Sequence, residues 1–290
     1  MSKLPVAYTI DHEGLKLDIA LILTDDLLIH EQTIESRLEN LKKRIEKDEV
    51  QSAPILVDRE TSVVLDGMHR TAVLKQLGCR FTCICMLNYF DPRIKVKRWC
   101  RIIPKPFNHR LAENIINDLD LSMEPYELIE TPDEEESLIL VFKEKAFKIT
   151  DEWGDLLETF KKIDQLEMKL NSWGYEVAHC TEAEAIDNVR GGKFDAAIYM
   201  PKVSKENVLK VAERKEVFTP KATRHQLPAR PVQVNVPLDL LRDNDISVID
   251  ANYRLMEMLT KKKVTRFEAG KEWNGRVYDE ALYVFEDSND

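Results

Sequence analysis

The chain has 290 residues, 43% of them hydrophobic, five cysteines and a formal net charge of −10. That length suits one large or two ordinary domains, which run to about 100–200 residues each, and the acidic balance weighs against nonspecific nucleic-acid binding, which depends on neutralising phosphates with Lys and Arg. No apolar run is long enough to span a bilayer and the first residues, MSKLPVAYTIDHEG, lack the apolar stretch of a secretory signal, so the reading is of a cytoplasmic protein with neither a membrane nor a nucleic-acid partner.

In chain order, TIESRLENLKKRIEKDE places Ile34, Leu38, Leu41 and Ile45 at helical spacing, with Thr33 positioned to cap the start. PILVD and SVVLD read as short strands joined by the polar turn RETS, and VVLDGMHRTAVLKQLG runs from strand through Gly67 into a helix with Val73, Leu74 and Leu77 on one side and Gly78 just past its end. FTCICML is the next strand, with Cys83 and Cys85 on one face. Buried free thiols explain these cysteines better than a metal site with Cys79, because the spacing matches no zinc knuckle. RIIPKPFNHR, with two prolines in three residues, marks a domain junction at about residue 105, because proline breaks both regular patterns. The domains are then 1–105 and 106–290.

The second half continues with strands SLILVF, GYEVAHC, FDAAIYM and VQVNVP and helices over WGDLLETFKKIDQLEMKLNSW and SKENVLKVAERKEV. TPDEEES reads as a solvated loop. The segment VFTPKATRHQLPARPVQ packs three prolines and four basic side chains into 17 residues, a composition of an ordered functional loop rather than a linker. The picture is an α/β protein of two α/β domains with the active site in the cleft between them.

The chemistry concentrates at LDGMHR. A strand ending at Leu65, a glycine, and a helix starting near Met68 turn free N–H groups and a positive dipole end outward, a geometry suited to phosphate. His69 and Arg70 fall in the first helical turn, where positive charge helps only if an anion is bound. LLIHEQTIESR brings His30 and Glu31 before a helix, KVKRWCR holds Trp99 among basic residues, and KATRH supplies Thr223, Arg224 and His225. Each alone reads equally as a helix-entry cap, a core aromatic or a solvated basic loop. Together, an acid, a phosphate-binding turn and a cationic clamp are the parts that phosphoryl transfer requires.

The order HE, PILVD, VVLDGMHR and an amphipathic helix resembles the ParB/sulfiredoxin-like superfamily over about residues 20–90. Within it the chain most resembles the free L-serine kinases, archaeal enzymes using ADP and bacterial relatives using ATP. TPKATRHQLPARPVQVNVPLDLL looks like that family's TRH…P.RP…VNVPL signature, and the likeness extends over about residues 8–242, leaving a C-terminal extension from about 243 unmatched. The resemblance implies a ParB/sulfiredoxin-like nucleotide-binding first domain and transfer of a phosphoryl group from ADP or ATP, with Mg2+, to the hydroxyl of free L-serine or a similar small hydroxyl metabolite. Glu31 is similar in position to the family's catalytic glutamate and is the expected base. Asp66 is expected to orient the acceptor or hold Mg2+, and Gly67, Met68, His69 and Arg70 to cradle the donor phosphates. Trp99 and Thr223 would shape the amino-acid pocket, and Arg224 and His225 would grip the serine carboxylate or the transferred phosphoryl. One departure stands out: the family's DGHHR reads DGMHR here, and Met68 replaces a side chain that donates to phosphate while leaving the backbone donor. A thioether also cannot serve as the thiolate nucleophile of a sulfiredoxin. The alternative reading is a non-catalytic ParB-like regulator that holds a nucleotide, a metabolite or heme without turnover.

Overall fold

The computed structural model describes residues 5–104, 106–127, 137–150, 155–273 and 275–287. The chain folds as two compact units, one formed by residues 1–95, 208–216 and 225–290, the other by 96–207 and 217–224.

The first unit opens with β1 (Tyr8–His12), β2 (Leu15–Leu23), α1 (Glu35–Asp48), β3 (Val50–Gln51), β4 (Ile55–Asp58), β5 (Val64–Asp66), α2 (Met68–Gln76) and β6 (Phe81–Leu87). A five-stranded sheet runs β1-β2-β6-β4-β5, with β4 and β6 parallel and the other pairs antiparallel. All seven residues of β6 are buried, as a strand flanked on both sides requires. That burial pushes the Cys83 and Cys85 thiols up, away from thiolate, and all five cysteines are free and buried.

β7 (Lys95–Lys97) lies where the chain passes into the second unit. There follow β8 (Cys100–Ile103), α3 (His109–Asn117), β9 (Ser122–Tyr126), β10 (Leu138–Phe142), β11 (Ala146–Thr150), α4 (Leu156–Ser172), β12 (Ala178–Cys180), α5 (Glu182–Arg190), β13 (Ala196–Tyr199) and α6 (Lys205–Glu213). The sheet order is β12-β8-β13-β10-β11-β9 and its pairings are antiparallel. Alternation of strand and helix in the sequence therefore does not produce a parallel sheet here. The proline-rich stretch near residue 105 follows β8, whose hydrogen bonds to β12 and β13 tie it to this second sheet. Residues 131–136 of the acidic TPDEEES stretch lie outside the described residues.

The chain then forms β14 (Arg224–Gln226), β15 (Ala229–Val232), β16 (Val236–Pro237), α7 (Leu238–Arg242), α8 (Val248–Leu259), β17 (Lys262–Phe267), β18 (Glu272–Trp273), β19 (Arg276–Val277) and β20 (Ala281–Asp287). The segment beyond residue 242 belongs to the first unit: β20 pairs with β15 in parallel and β17 in antiparallel. The Asn252 side chain of α8 accepts from Leu21 N–H at 2.7 Å and donates to Leu21 O at 2.8 Å, on the stretch of β2 beyond its last β1 partner, Ile19. No helix among the described residues is long and apolar enough to cross a membrane.

Candidate active site

Gly67 caps α2 at φ 113, a left-handed backbone that glycine adopts without strain. A Cβ there would meet Arg70 Nη2 at 3.0 Å and Ile55 Cγ1 at 3.1 Å, so space as well as conformation calls for glycine. No side chain caps the helix, and an uncapped helix start of this kind turns N–H groups outward in the geometry that suits an anion.

The side chains around this turn are arranged differently from the sequence expectation. Arg70 Nη1 donates to Ala53 O at 2.9 Å and Pro54 O at 2.8 Å, and Nη2 to Asp66 Oδ2 at 2.9 Å. Its guanidinium binds the loop before β4 rather than projecting as a phosphate clamp. The same Asp66 oxygen accepts from Arg230 Nη1 at 2.9 Å, and Arg230 Nε pairs with Glu280. Burial acts to raise the Asp66 pKa, but the charges of Arg230, Arg70 and Arg276 outweigh it and hold the carboxyl lowered to about 2. A carboxylate already shared by two guanidiniums, with a third cation nearby, does not fit a Mg2+ ligand, so the expectation that Asp66 holds the metal is set aside. His69 Nε2 accepts from Ile34 N–H at 3.0 Å and is therefore unprotonated at that nitrogen, which corrects the expected positive charge. Ile34, not Thr33, occupies the cap of α1, with no side-chain cap bond.

Three links run alongside this turn and fix the HE segment. Leu28 O accepts from Val64 N–H at 2.8 Å, His30 hydrogen-bonds the Val64 backbone, and Ile34 N–H reaches His69. Glu31 follows His30 within this anchored segment and is nearly buried, with 9% of its surface exposed. Burial of His30 lowers its pKa to about 4, against the opposing pull of the Val64 bond. The His30 and His225 rings meet edge to face at 5.4 Å, and His225 Nε2 lies 2.7 Å from Tyr89 Oη.

In the second unit, Trp99 lies under two cations: Lys221 Nζ is 4.3 Å and Arg224 Cζ 5.9 Å from its ring centroid. Thr223 is buried. Arg224 Nε is buried and bonds no described group. Arg101, almost fully buried, organises this loop. It donates to the carbonyls of Trp99 at 3.2 Å, Lys221 at 3.0 Å and Pro220 at 3.2 Å, and its charge is met by Glu167 at 3.1 Å. Thus Trp99 and Arg224 come together, as do Ile34 and His69 of the α2 turn, and His225 with His30.

Sequence reasoning missed Arg230, Glu280, Arg276, Tyr89 and Arg101. Arg230 lies within the quoted ARPV stretch and Arg101 ends the quoted KVKRWCR, so their signals were present; the others had none.

No protein-family model matches the chain. An ATP-dependent L-serine kinase of Staphylothermus marinus is 31% identical over 234 residues, covering 77% of this chain and 90% of that protein. The chain belongs to the L-serine kinase family. The ADP-dependent L-serine kinase SerK of Thermococcus kodakarensis is 27% identical over 236 residues, 78% of this chain and 94% of the kinase. The ATP-dependent L-serine kinase SbnI of Staphylococcus aureus is 25% identical over 286 residues, 95% of this chain and 98% of that kinase; so broad a match takes in residues beyond 243, which the sequence reading left unmatched. Among solved structures, a free serine kinase with one glutamate replaced by alanine, in complex with AMP, matches with a TM-score of 0.66 at 25% identity over 78% of this chain and 94% of that one. Membership of the family bears out the expected resemblance.

Proposed function

We propose that this L-serine kinase family member transfers the terminal phosphoryl group of ATP or ADP to the hydroxyl of free L-serine, giving O-phospho-L-serine and ADP or AMP. The reading is supported by the α2 start at Gly67, which no side chain caps, and by the bonds that hold the segment around Glu31 to Val64 and to His69 of that helix; Glu31 is the base in this reading. A serine hydroxyl is a poor nucleophile at neutral pH, and a carboxylate within reach takes its proton as the oxygen attacks phosphorus, a contribution of about 10²–10⁴-fold. The bond from phosphorus to the bridging oxygen of the donor breaks, and the N–H groups of Gly67, Met68, His69 and Arg70 receive the charge on the phosphates. That a solved relative carries a glutamate-to-alanine replacement in its AMP complex agrees with a glutamate at the centre of the chemistry.

The N-terminal domain expected over residues 1–105 forms the nucleotide side of the enzyme, and Trp99, Thr223 and Arg224 bind serine, the guanidinium taking the carboxylate; His225 completes the acceptor side. The reaction takes place in the cytoplasm, with Mg2+ accompanying the nucleotide phosphates rather than bound by Asp66. Both donor types occur among the named relatives. Purified protein incubated with L-serine, Mg2+ and either ATP or ADP is expected to form O-phosphoserine, read by mass spectrometry. Nucleotide binding without product from either donor would instead support the non-catalytic regulator.

A further inference from the structure

The cations that the α2 turn displays in sequence are not those available in three dimensions. Arg70 is committed to Ala53, Pro54 and Asp66, and Arg230 to Asp66 and Glu280. Two guanidiniums and two carboxylates leave this cluster formally neutral, and a neutral cluster does little to attract a polyphosphate.

Arg276 breaks that balance. It lies in β19, exposed to solvent, with its guanidinium carbon 4.6 Å from the centroid of the Tyr278 ring. Arg230 crosses the same ring at 5.8 Å, so a continuous path leads from Asp66 through Arg230 and Tyr278 to Arg276. Its charge reaches both Asp66 and Arg70. Among the described residues its guanidinium takes part in no hydrogen bond or ion pair, whereas the other two arginines of the cluster are each held by carboxylates or carbonyls. Stacking on an aromatic face holds a guanidinium in place while leaving its N–H edge open.

We propose that Arg276 is a donor-binding residue that contacts the phosphates of the nucleoside di- or triphosphate at the α2 turn. The proposal rests on the kinase reading of that turn. It makes the C-terminal strands part of the nucleotide site: Glu280 secures Arg230 so that Asp66 is neutralised, and Arg276 supplies the surplus positive charge. The phosphate cation assigned by sequence to Arg70 is then delivered by a residue some 200 positions later, a shift in role that follows from which guanidinium has its charge uncommitted to a carboxylate.

The test is calorimetric titration of the full-length protein and of Arg276→Ala, Arg276→Lys and Arg276→Glu with ADP and with ATP, alongside thermal melts. Loss of one charge-assisted contact raises the Kd of Arg276→Ala by about tenfold. Arg276→Glu binds more weakly still and Arg276→Lys recovers part of the loss, with melting temperatures unchanged. Wild-type affinity in all three variants overturns the proposal, as does an equal loss in all three, which would mean that Arg276 matters only for its packing on Tyr278. If the wild-type protein binds neither nucleotide, the kinase reading fails, and the proposal fails with it.

Discussion

Arg230 Nη1 and Asp66 Oδ2 meet at 2.9 Å although 164 positions separate them in the chain. Arg230 also holds buried Glu280, so one guanidinium ties the strand before the phosphate turn to the C-terminal strands. Replacing it by alanine leaves Glu280 buried without its cation, whereas Asp66 is 38% exposed and keeps Arg70. We expect Arg230→Ala to lose about 3 kcal/mol of stability, most of it from Glu280, since water screens Asp66. Urea denaturation checks this, and Arg230→Ala combined with Glu280→Gln should recover part of the loss. An unchanged midpoint in the single variant would show that the pair contributes nothing.

Glu31→Gln retains shape and hydrogen-bonding capacity but cannot take the serine proton. Turnover should fall by about 100-fold or more, the lower bound for a general base, while the Kd for nucleotide stays near the wild-type value. Steady-state kinetics with isothermal titration separates the two. Near-normal turnover would assign the base to another group.

Arg101 touches no substrate in this reading; it is a positioning residue that holds the loop carrying Thr223 and Arg224 through the carbonyls of Pro220 and Lys221, and Trp99 through its own carbonyl. Arg101→Lys cannot reproduce that fork of donors. The KM for serine should rise by about tenfold, equivalent to about 1.4 kcal/mol, with nucleotide affinity unchanged. A parallel loss of both affinities would mean that the substitution disturbs the fold at large.

The buried imidazole of His30 makes stability depend on pH. Its folded pKa is lowered by burial to about 4 from 6.5, so the unfolded chain binds the extra proton first as pH falls. The stability associated with neutral His30 is complete above pH 6.5 and is lost as pH drops toward about 4, by on the order of 3 kcal/mol. Melting temperatures across pH 4–7 should show this decline, and His30→Gln should flatten it. A variant with the same slope as wild type would trace the decline to other groups.

Local pattern made much of the first unit legible. The strands of PILVD, SVVLD and FTCICML and the helix after Gly67 form where period and glycine placement put them, because each is decided by a few neighbouring residues. What could not be read was any relationship set by distant backbone. Nothing in DGMHR says that Arg70 will turn back to Ala53 and Pro54, since that depends on where the loop before β4 passes. Thr33 has the chemistry of a cap, yet Ile34 takes the position because His69 arrives from another helix to receive its N–H. Cys100–Ile103 joins the second sheet through partners some 80 and 95 residues onward, pairings that no proline signal reveals. The charged pairs of Arg230 and Arg101 escaped for the same reason.

The amide of Asn252 has a consequence beyond the packing of α8. Past Ile19, β2 would otherwise present backbone donors and acceptors along an open margin, and such margins template the addition of strands from other molecules. By occupying both groups of Leu21, a single side chain seals that margin against intermolecular β-pairing. A chain shortened before α8 would expose an apolar, β-branched strand edge in every copy, and its first failure would be self-association through swapped or stacked strands rather than loss of the phosphate turn.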